Sequence, residues 1–246
     1  MEMRIQFLGT GDAFCSGGRF QTCFQVIADN FNFLIDCGAT SLLAMKAGDM
    51  ASDLIDGIII SHFHGDHFGG LPYLLIDANY QAKRTRPMLI AGPPGVEKSV
   101  QNLLSVLYPT VKIAELSFEV IFKQFNSDNT IEFGPLAIET YPVIHVEEAL
   151  PHGIRVLFKD QCLAFSGDTG WTDNLYQIAS NADLFICECN YFKTVSTSHL
   201  NYPTIVSNLN KLNCKRIILN HLGPEMLDNM NSVNLECSYD GLTIDI

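Results

Sequence analysis

Cations are scarce in this chain. Lysine and arginine total 15 against 27 aspartates and glutamates, leaving a net charge of −12 over 246 residues. That balance favours solubility and works against long-range attraction to nucleic acid or an anionic membrane. The tight basic cluster, Lys83, Arg84 and Arg86, reads as a solvated helix end. Long apolar runs are also missing. None approaches the ~18 residues that span a bilayer, so no membrane partner is expected. The start, Met1-Glu2-Met3-Arg4, lacks the apolar core of a signal peptide, and Ile5 already begins a strand. Paired cysteines are absent too. The eight, at 15, 23, 37, 162, 187, 189, 214 and 237, contain no Cys-x-x-Cys. Cys187 and Cys189 share a strand face but lack the second pair of a thiolate zinc site. Most read as small core residues in cytoplasmic, reducing surroundings. The glycines of Gly9-Thr10-Gly11 and Ser16-Gly17-Gly18 are followed by no Gly-Lys-Ser/Thr, which excludes a nucleotide P-loop. No short repeat, low-complexity tract or linker breaks the chain, so residues 1–246 read as a single domain.

What is present is concentrated in His62-Phe63-His64-Gly65-Asp66-His67. Three of the chain's seven histidines and one carboxylate fall together there, directly after the apolar run Gly57-Ile58-Ile59-Ile60-Ser61. Imidazoles plus a carboxylate suit Zn²⁺ and related divalent ions. Side chains two apart on extended backbone point the same way, so His62 and His64 can close on one ion. Asp66 and His67 lie past the turn at Gly65, at the start of a helix, where they can face a second ion.

At these residues the chain resembles the metallo-β-lactamase superfamily, whose signature is His-x-His-x-Asp-His after a hydrophobic strand. The opening Leu8-Gly9-Thr10-Gly11 is similar to that of ribonuclease Z and its phosphodiesterase relatives. The resemblance supplies further ligands in order: His145 closing Tyr141-Pro142-Val143-Ile144, Asp168 between Gly167 and Thr169, and His221 after Asn220. It implies that one ion takes His62, His64 and His145 and the other Asp66, His67 and His221, with Asp168 bridging. It thus implies two divalent metal ions, Zn²⁺ first, with Mn²⁺ or Fe²⁺ as alternatives. A hydroxide between them is the nucleophile, and Asp66 holds or deprotonates the attacking water. Asp36 matches an acid that braces the metal loop, although a helix-capping Asp explains it equally well from the residues alone. Arg19 becomes a candidate substrate contact. His199, in Thr197-Ser198-His199-Leu200, matches a histidine that protonates the leaving oxygen in ribonuclease Z-like proteins. His152 has no such match.

The expected fold is α/β, a four-layer αββα metallo-β-lactamase sandwich with the metals in the cleft between two sheets. Strands are expected at 4–8, 23–28, 31–36, 88–91, 154–158, 162–165, 184–189 and 216–219. Further strands at 112–116, 118–122, 130–133 and 136–141 are assigned to a second sheet region. Helices are expected at 40–47, 68–80, 96–107, 171–179 and 202–212.

Two departures from ribonuclease Z narrow the function. That family inserts a long tRNA-clamping arm between the residues matching His145 and Asp168, whereas only 22 residues join them here. Its His-Glu-Ala-Thr segment is replaced by Cys187-Glu188-Cys189-Asn190. With the acidic charge, these features argue against tRNA and for a small-molecule or short oligonucleotide phosphodiester, such as a cyclic nucleotide or cyclic sugar phosphate. The alternative is an ester, thioester or lactone hydrolase on the same scaffold, which would not need His199. A redox or binding protein on this fold is a third reading; it is disfavoured because the histidine ligands are kept and no second domain is seen. Homodimers are common among similar proteins, and the resemblance allows one here.

Overall fold

The computed structural model describes residues 3–126 and 130–246. Met1 and Glu2, on which the expectation about the chain's start partly rests, lie outside them. The strands are β1 (Met3–Gly9), β2 (Cys23–Ala28), β3 (Phe31–Ile35), β4 (Gly57–Ile59), β5 (Met88–Gly92), β6 (Val120–Gln124), β7 (Ile131–Phe133), β8 (Leu136–Pro142), β9 (His152–Phe158), β10 (Gln161–Phe165), β11 (Leu184–Glu188), β12 (Ile217–Asn220) and β13 (Thr243–Asp245). They form a seven-stranded sheet, ordered β13-β1-β2-β3-β4-β5-β6, and a six-stranded sheet, ordered β12-β11-β10-β9-β8-β7. The helices are α1 (Ser41–Ala47), α2 (Gly65–Phe68), α3 (Leu71–Ile76), α4 (Val96–Leu107), α5 (Asn174–Ala179), α6 (Tyr202–Asn208) and α7 (Pro224–Asp228).

The layers follow from strand alternation, which sends successive side chains to opposite faces. In β3, Phe33 and Ile35 enter the core between the sheets, while Leu34 joins a core beneath α1, α3 and α4. In β11, Leu184 and Ile186 face the inter-sheet core, while Phe185 and Cys187 face a third core with α5 and α6. Cys189 lies in that third core too, so the expected shared face of Cys187 and Cys189 is present. Three cores separate four layers, as the αββα reading requires. Phe24 links the sheets, edge-on to Phe7 at 5.0 Å and to Phe165 at 5.2 Å.

Several local expectations are corrected. Residues 112–116 are not a strand but carry the 3-10 turn Ile113–Glu115. The position beside β5 is filled by β6, and Ile113 and Leu116 pack on the outer core instead. β6 pairs parallel to β5 and so belongs to the first sheet, since α4 carries the chain over as a parallel crossover. The helix expected over 68–80 is broken at Gly69-Gly70. There Gly70 N–H donates to Cys37 O, and a Cβ on Gly70 would collide with Gly38 O. After α3 the chain runs into a π-helical turn, Asp77–Gln81. In the basic cluster Lys83 and Arg86 are exposed, as a solvated helix end requires, but Arg84 is not. Arg84 is 2% exposed and donates to the carbonyls of Asp53, Arg86 and Pro87, tying the entry of β5 to the loop before β4. A guanidinium supplies this many donors in a fixed fork, so three converging carbonyls explain its burial. Among the described residues no helix is long and apolar enough to cross a membrane.

Candidate metal centre

The motif residues sit where β4 leaves the first sheet. Ile58 and Ile60 anchor the strand in the outer core and Ile59 in the inter-sheet core, so the chain beyond Ser61 emerges at the C-terminal end of an interior strand. His64 is extended and begins α2, whose first turn carries Asp66 and His67. Parallel β3 ends beside it in Asp36, and the second sheet delivers Asp168 after β10 and His221 after β12. Asp36 and His221 both adopt left-handed backbone, with φ of 58° and 57°. Such conformations are uncommon for residues other than glycine and concentrate where a site over-determines them.

All seven predicted metal residues converge. His62 Nε2 lies 3.1 Å from His64 Nδ1, which lies 3.0 Å from His145 Nε2. Asp66 Oδ2 lies 3.2 Å from His67 Nε2 and 3.3 Å from His221 Nε2. Asp168 Oδ2 lies 3.3 Å from each of the same two nitrogens, and 4.0 Å from His62 Nε2 in the first group. A tetrahedral ion with bonds of ~2.0–2.1 Å has ligand–ligand edges of about 3.3 Å, so the second group has the spacing of such a cage.

The outer hydrogen bonds determine which way the lone pairs face. Ser61 Oγ gives its proton to Asp36 Oδ2 at 2.8 Å, so it accepts from His62 Nδ1 at 3.0 Å. His67 Nδ1 donates to Asp36 Oδ2 at 2.6 Å and His145 Nδ1 to the Ser198 carbonyl at 2.7 Å. In the neutral rings, the Nε2 lone pairs of His62, His67 and His145 therefore point inward. The Asn190 amide nitrogen stands 3.2 Å from His221 Nδ1 and donates to the His221 carbonyl at 3.5 Å. Converging lone pairs repel unless a cation or proton lies among them. Consistently, His67 Nε2 and Asp168 Oδ1 are buried with no hydrogen-bond partner. The donor set fits divalent metal ions.

Charge tells the same story. Burial works against a charged His221, yet Asp168 and Asp66 outweigh it and push its pKa up to about 9. Burial likewise opposes charge on Asp168, but His221 and His67 hold it well below the usual carboxylate range. Without metal, then, protons bind here as surrogate cations. Metal uptake must expel them, so metal affinity falls as pH falls. Asp36 is the brace, accepting from Ser61 N–H at 2.7 Å as well as from Ser61 Oγ and His67. Asp36→Asn replaces one acceptor oxygen with a donor. It is expected to lower metal affinity about 10–100-fold, checked by competition with a chromophoric chelator.

His199 stands beside the cluster, its ring 4.7 Å from that of His145 and stacked 5.6 Å from that of His221. Its Nδ1 lies 2.9 Å from Glu188 Oε1. Burial opposes the charged imidazole, but the hydrogen bond and charge of Glu188 raise its pKa above the ordinary histidine value. Glu188 is fully buried, held by the backbone N–H groups of Thr169, Asn190 and Leu200. Sequence reasoning passed over this residue as a partner. The available signal was a lone acid in the apolar run of β11, which has to be paired once buried. Ser61 was also missed. Arg19 is not brought to the cluster; its Nη1 donates to Thr10 Oγ1 and the Ser238 carbonyl, which clamps the first loop. That loop does border the site, because Gly11 bridges to Leu222 next to His221.

A family model described as Anti-Pycsar protein Apyc1 matches residues 3–236. The chain belongs to that family. It is also similar to ribonuclease Z of Methanococcus maripaludis (strain C6), at 33% identity over 161 residues. That match takes in 64% of this chain and 50% of the ribonuclease, so the chain spans about half the length of the curated relatives it matches. Among solved structures, the metallo-β-lactamase fold protein YhfI from Bacillus subtilis superposes with a TM-score of 0.83 at 21% identity, covering 100% of both chains. Human tRNase Z, short form, gives 0.79 at 21% identity over 98% of each chain. The chain therefore has the metallo-β-lactamase fold and is similar in sequence to ribonuclease Z.

Proposed function

We propose that this chain is a dinuclear metal-dependent phosphodiesterase acting on a small or cyclic phosphodiester. One ion would be held by His62, His64 and His145, the other by Asp66, His67 and His221, with Asp168 between them. Bound there, divalent ions supply a hydroxide near neutral pH and offset charge on the phosphoryl oxygens. The observation that carries the phosphodiester reading is His199, part-buried beside the histidine cluster and paired with the fully buried Glu188. A histidine kept protonated by a fixed carboxylate is a proton donor for a poor leaving group, and a ribose or alkyl oxygen is one. Glu188 holds Nδ1, so Nε2 is the donating atom. Asp66 is the carboxylate placed to hold the attacking water. The small substrate is supported by the interval from His145 to Asp168, where β9 and β10 pair directly from Phe158 to Gln161 across a two-residue turn. A tRNA-clamping arm has no place in such a hairpin.

The test compares metal-loaded protein on bis(p-nitrophenyl) phosphate, p-nitrophenyl acetate and an acyl thioester. The diester should be turned over and His64→Ala should abolish the reaction. Turnover of the carboxylic substrates alone would replace the phosphodiesterase with an ester or thioester hydrolase.

A further inference from the structure

Glu225, in the first turn of α7, holds three backbone N–H groups of a loop remote in sequence. Its Oε2 accepts from Phe192 and Thr194 and its Oε1 from Lys193, each at 3.2 Å. Successive N–H groups turned onto one anion form a nest, here filled by the protein's own carboxylate. Bonds to an ionised acceptor are stronger than neutral ones. The loop so held runs from the end of β11 to His199. Its base is closed by Tyr191 N–H to Leu200 O at 3.2 Å and by Tyr202 N–H to Tyr191 O at 3.0 Å. At its far end Ser198 O accepts from His145 Nδ1, and Leu200 N–H donates to Glu188 Oε2. Between these ends the chain is thinly supported. Lys193, Thr194, Val195 and Thr197 are exposed, Val195 by 86%. Among the described residues, the hydrogen bonds that tie 192–197 to any part of the chain outside 190–202 are those to Glu225 alone. There is also little slack toward the metal cluster, because a Cβ on Gly170 would collide with Thr197 O.

We propose that Glu225 is a positioning residue for His199. By latching 192–194 to α7 it fixes the loop that carries the proton donor, without touching the reacting atoms. The proposal rests on the phosphodiesterase reading, in which His199 protonates the leaving oxygen. Its consequence is selective. No predicted metal residue lies in 192–197, and His145 keeps Ser198 O when the latch is cut, so the ions are retained. What is lost is the precision with which Nε2 of His199 meets the leaving oxygen, and proton transfer in a transition state depends on that alignment.

The experiment measures kcat at saturating metal for two diesters that differ in leaving group. Methyl p-nitrophenyl phosphate releases p-nitrophenolate without a proton, whereas methyl phenyl phosphate has a more basic leaving oxygen. Glu225→Ala should slow the phenyl ester by about tenfold or more and the p-nitrophenyl ester by less than about twofold, the signature of a misplaced acid. Metal content, read by elemental analysis on the same samples, should equal that of the wild-type chain. Glu225→Gln keeps one acceptor oxygen and should fall between the two. In a His199→Ala background, Glu225→Ala should cost nothing further with the phenyl ester, because residues that act on one step are not additive. Glu225 is part-exposed and lies outside the three cores, so circular dichroism should match the wild-type chain. Equal slowing of the two esters, wild-type rates in Glu225→Ala, or a further loss in the His199→Ala background overturns the latch and leaves the phosphodiesterase standing. Failure of the wild-type chain to hydrolyse either ester overturns both.

Discussion

Asp168→Asn is expected to lower phosphodiester turnover by about a thousandfold or more, equivalent to ~4 kcal/mol of lost transition-state stabilisation. Asp168 Oδ2 is the atom common to the two donor groups, 3.3 Å from His67 Nε2 and His221 Nε2 and 4.0 Å from His62 Nε2. Its second oxygen is buried without a partner. An asparagine keeps the volume but removes the charge and turns one of the two oxygens into a donor. Metal content should fall from two ions per chain toward one, read by elemental analysis after gel filtration. Full metal content with full turnover would remove Asp168 from the bridging position.

His199→Ala is expected to cost about 10²–10⁴-fold with an alkyl or nucleoside leaving group and much less with p-nitrophenolate, which leaves without a proton. This dependence on the leaving group separates a proton donor from a residue that merely packs against His145. Glu188→Gln tests the same pair through pH. Glu188 is what raises His199 above its ordinary pKa against the effect of burial. The protonated, active form therefore survives to higher pH in the wild-type chain and is lost as pH rises through that pKa. Without the carboxylate, the alkaline limb of the rate profile should move to lower pH. A limb that stays in place in Glu188→Gln would assign it to another group.

Much of this site was legible in the sequence because its chemistry is locally dense. Six consecutive residues supply four donors, and the apolar run before them fixes which way they emerge. Asp36 was less legible. Its neighbours permit a cap or a brace, and only the left-handed backbone at the end of β3 and the approach of His67, 31 positions away, distinguish the two. Glu188 and Arg84 were hidden for a related reason. Each is a buried charge that needs at least one partner remote in the chain: the loop at 199–200 for Glu188 and the carbonyl of Asp53 for Arg84. The four layers followed from the twice-repeated alternation of strands and helices and from the family resemblance. The sheet assignment of residues 118–124 did not, because edge order depends on which strand α4 returns to, and periodicity carries no record of that. The three-residue strand β13 is too short to show a period at all.

The most direct test of the dinuclear account is a metal titration of metal-free protein at pH 7, with bis(p-nitrophenyl) phosphate turnover read in the same samples. The account predicts two ions bound per chain and turnover that rises as the second site fills. It also predicts proton release on binding, since His221 is pushed up to about 9 in the metal-free chain. Full turnover at one ion per chain, or two ions bound without hydrolysis of the diester, would contradict it.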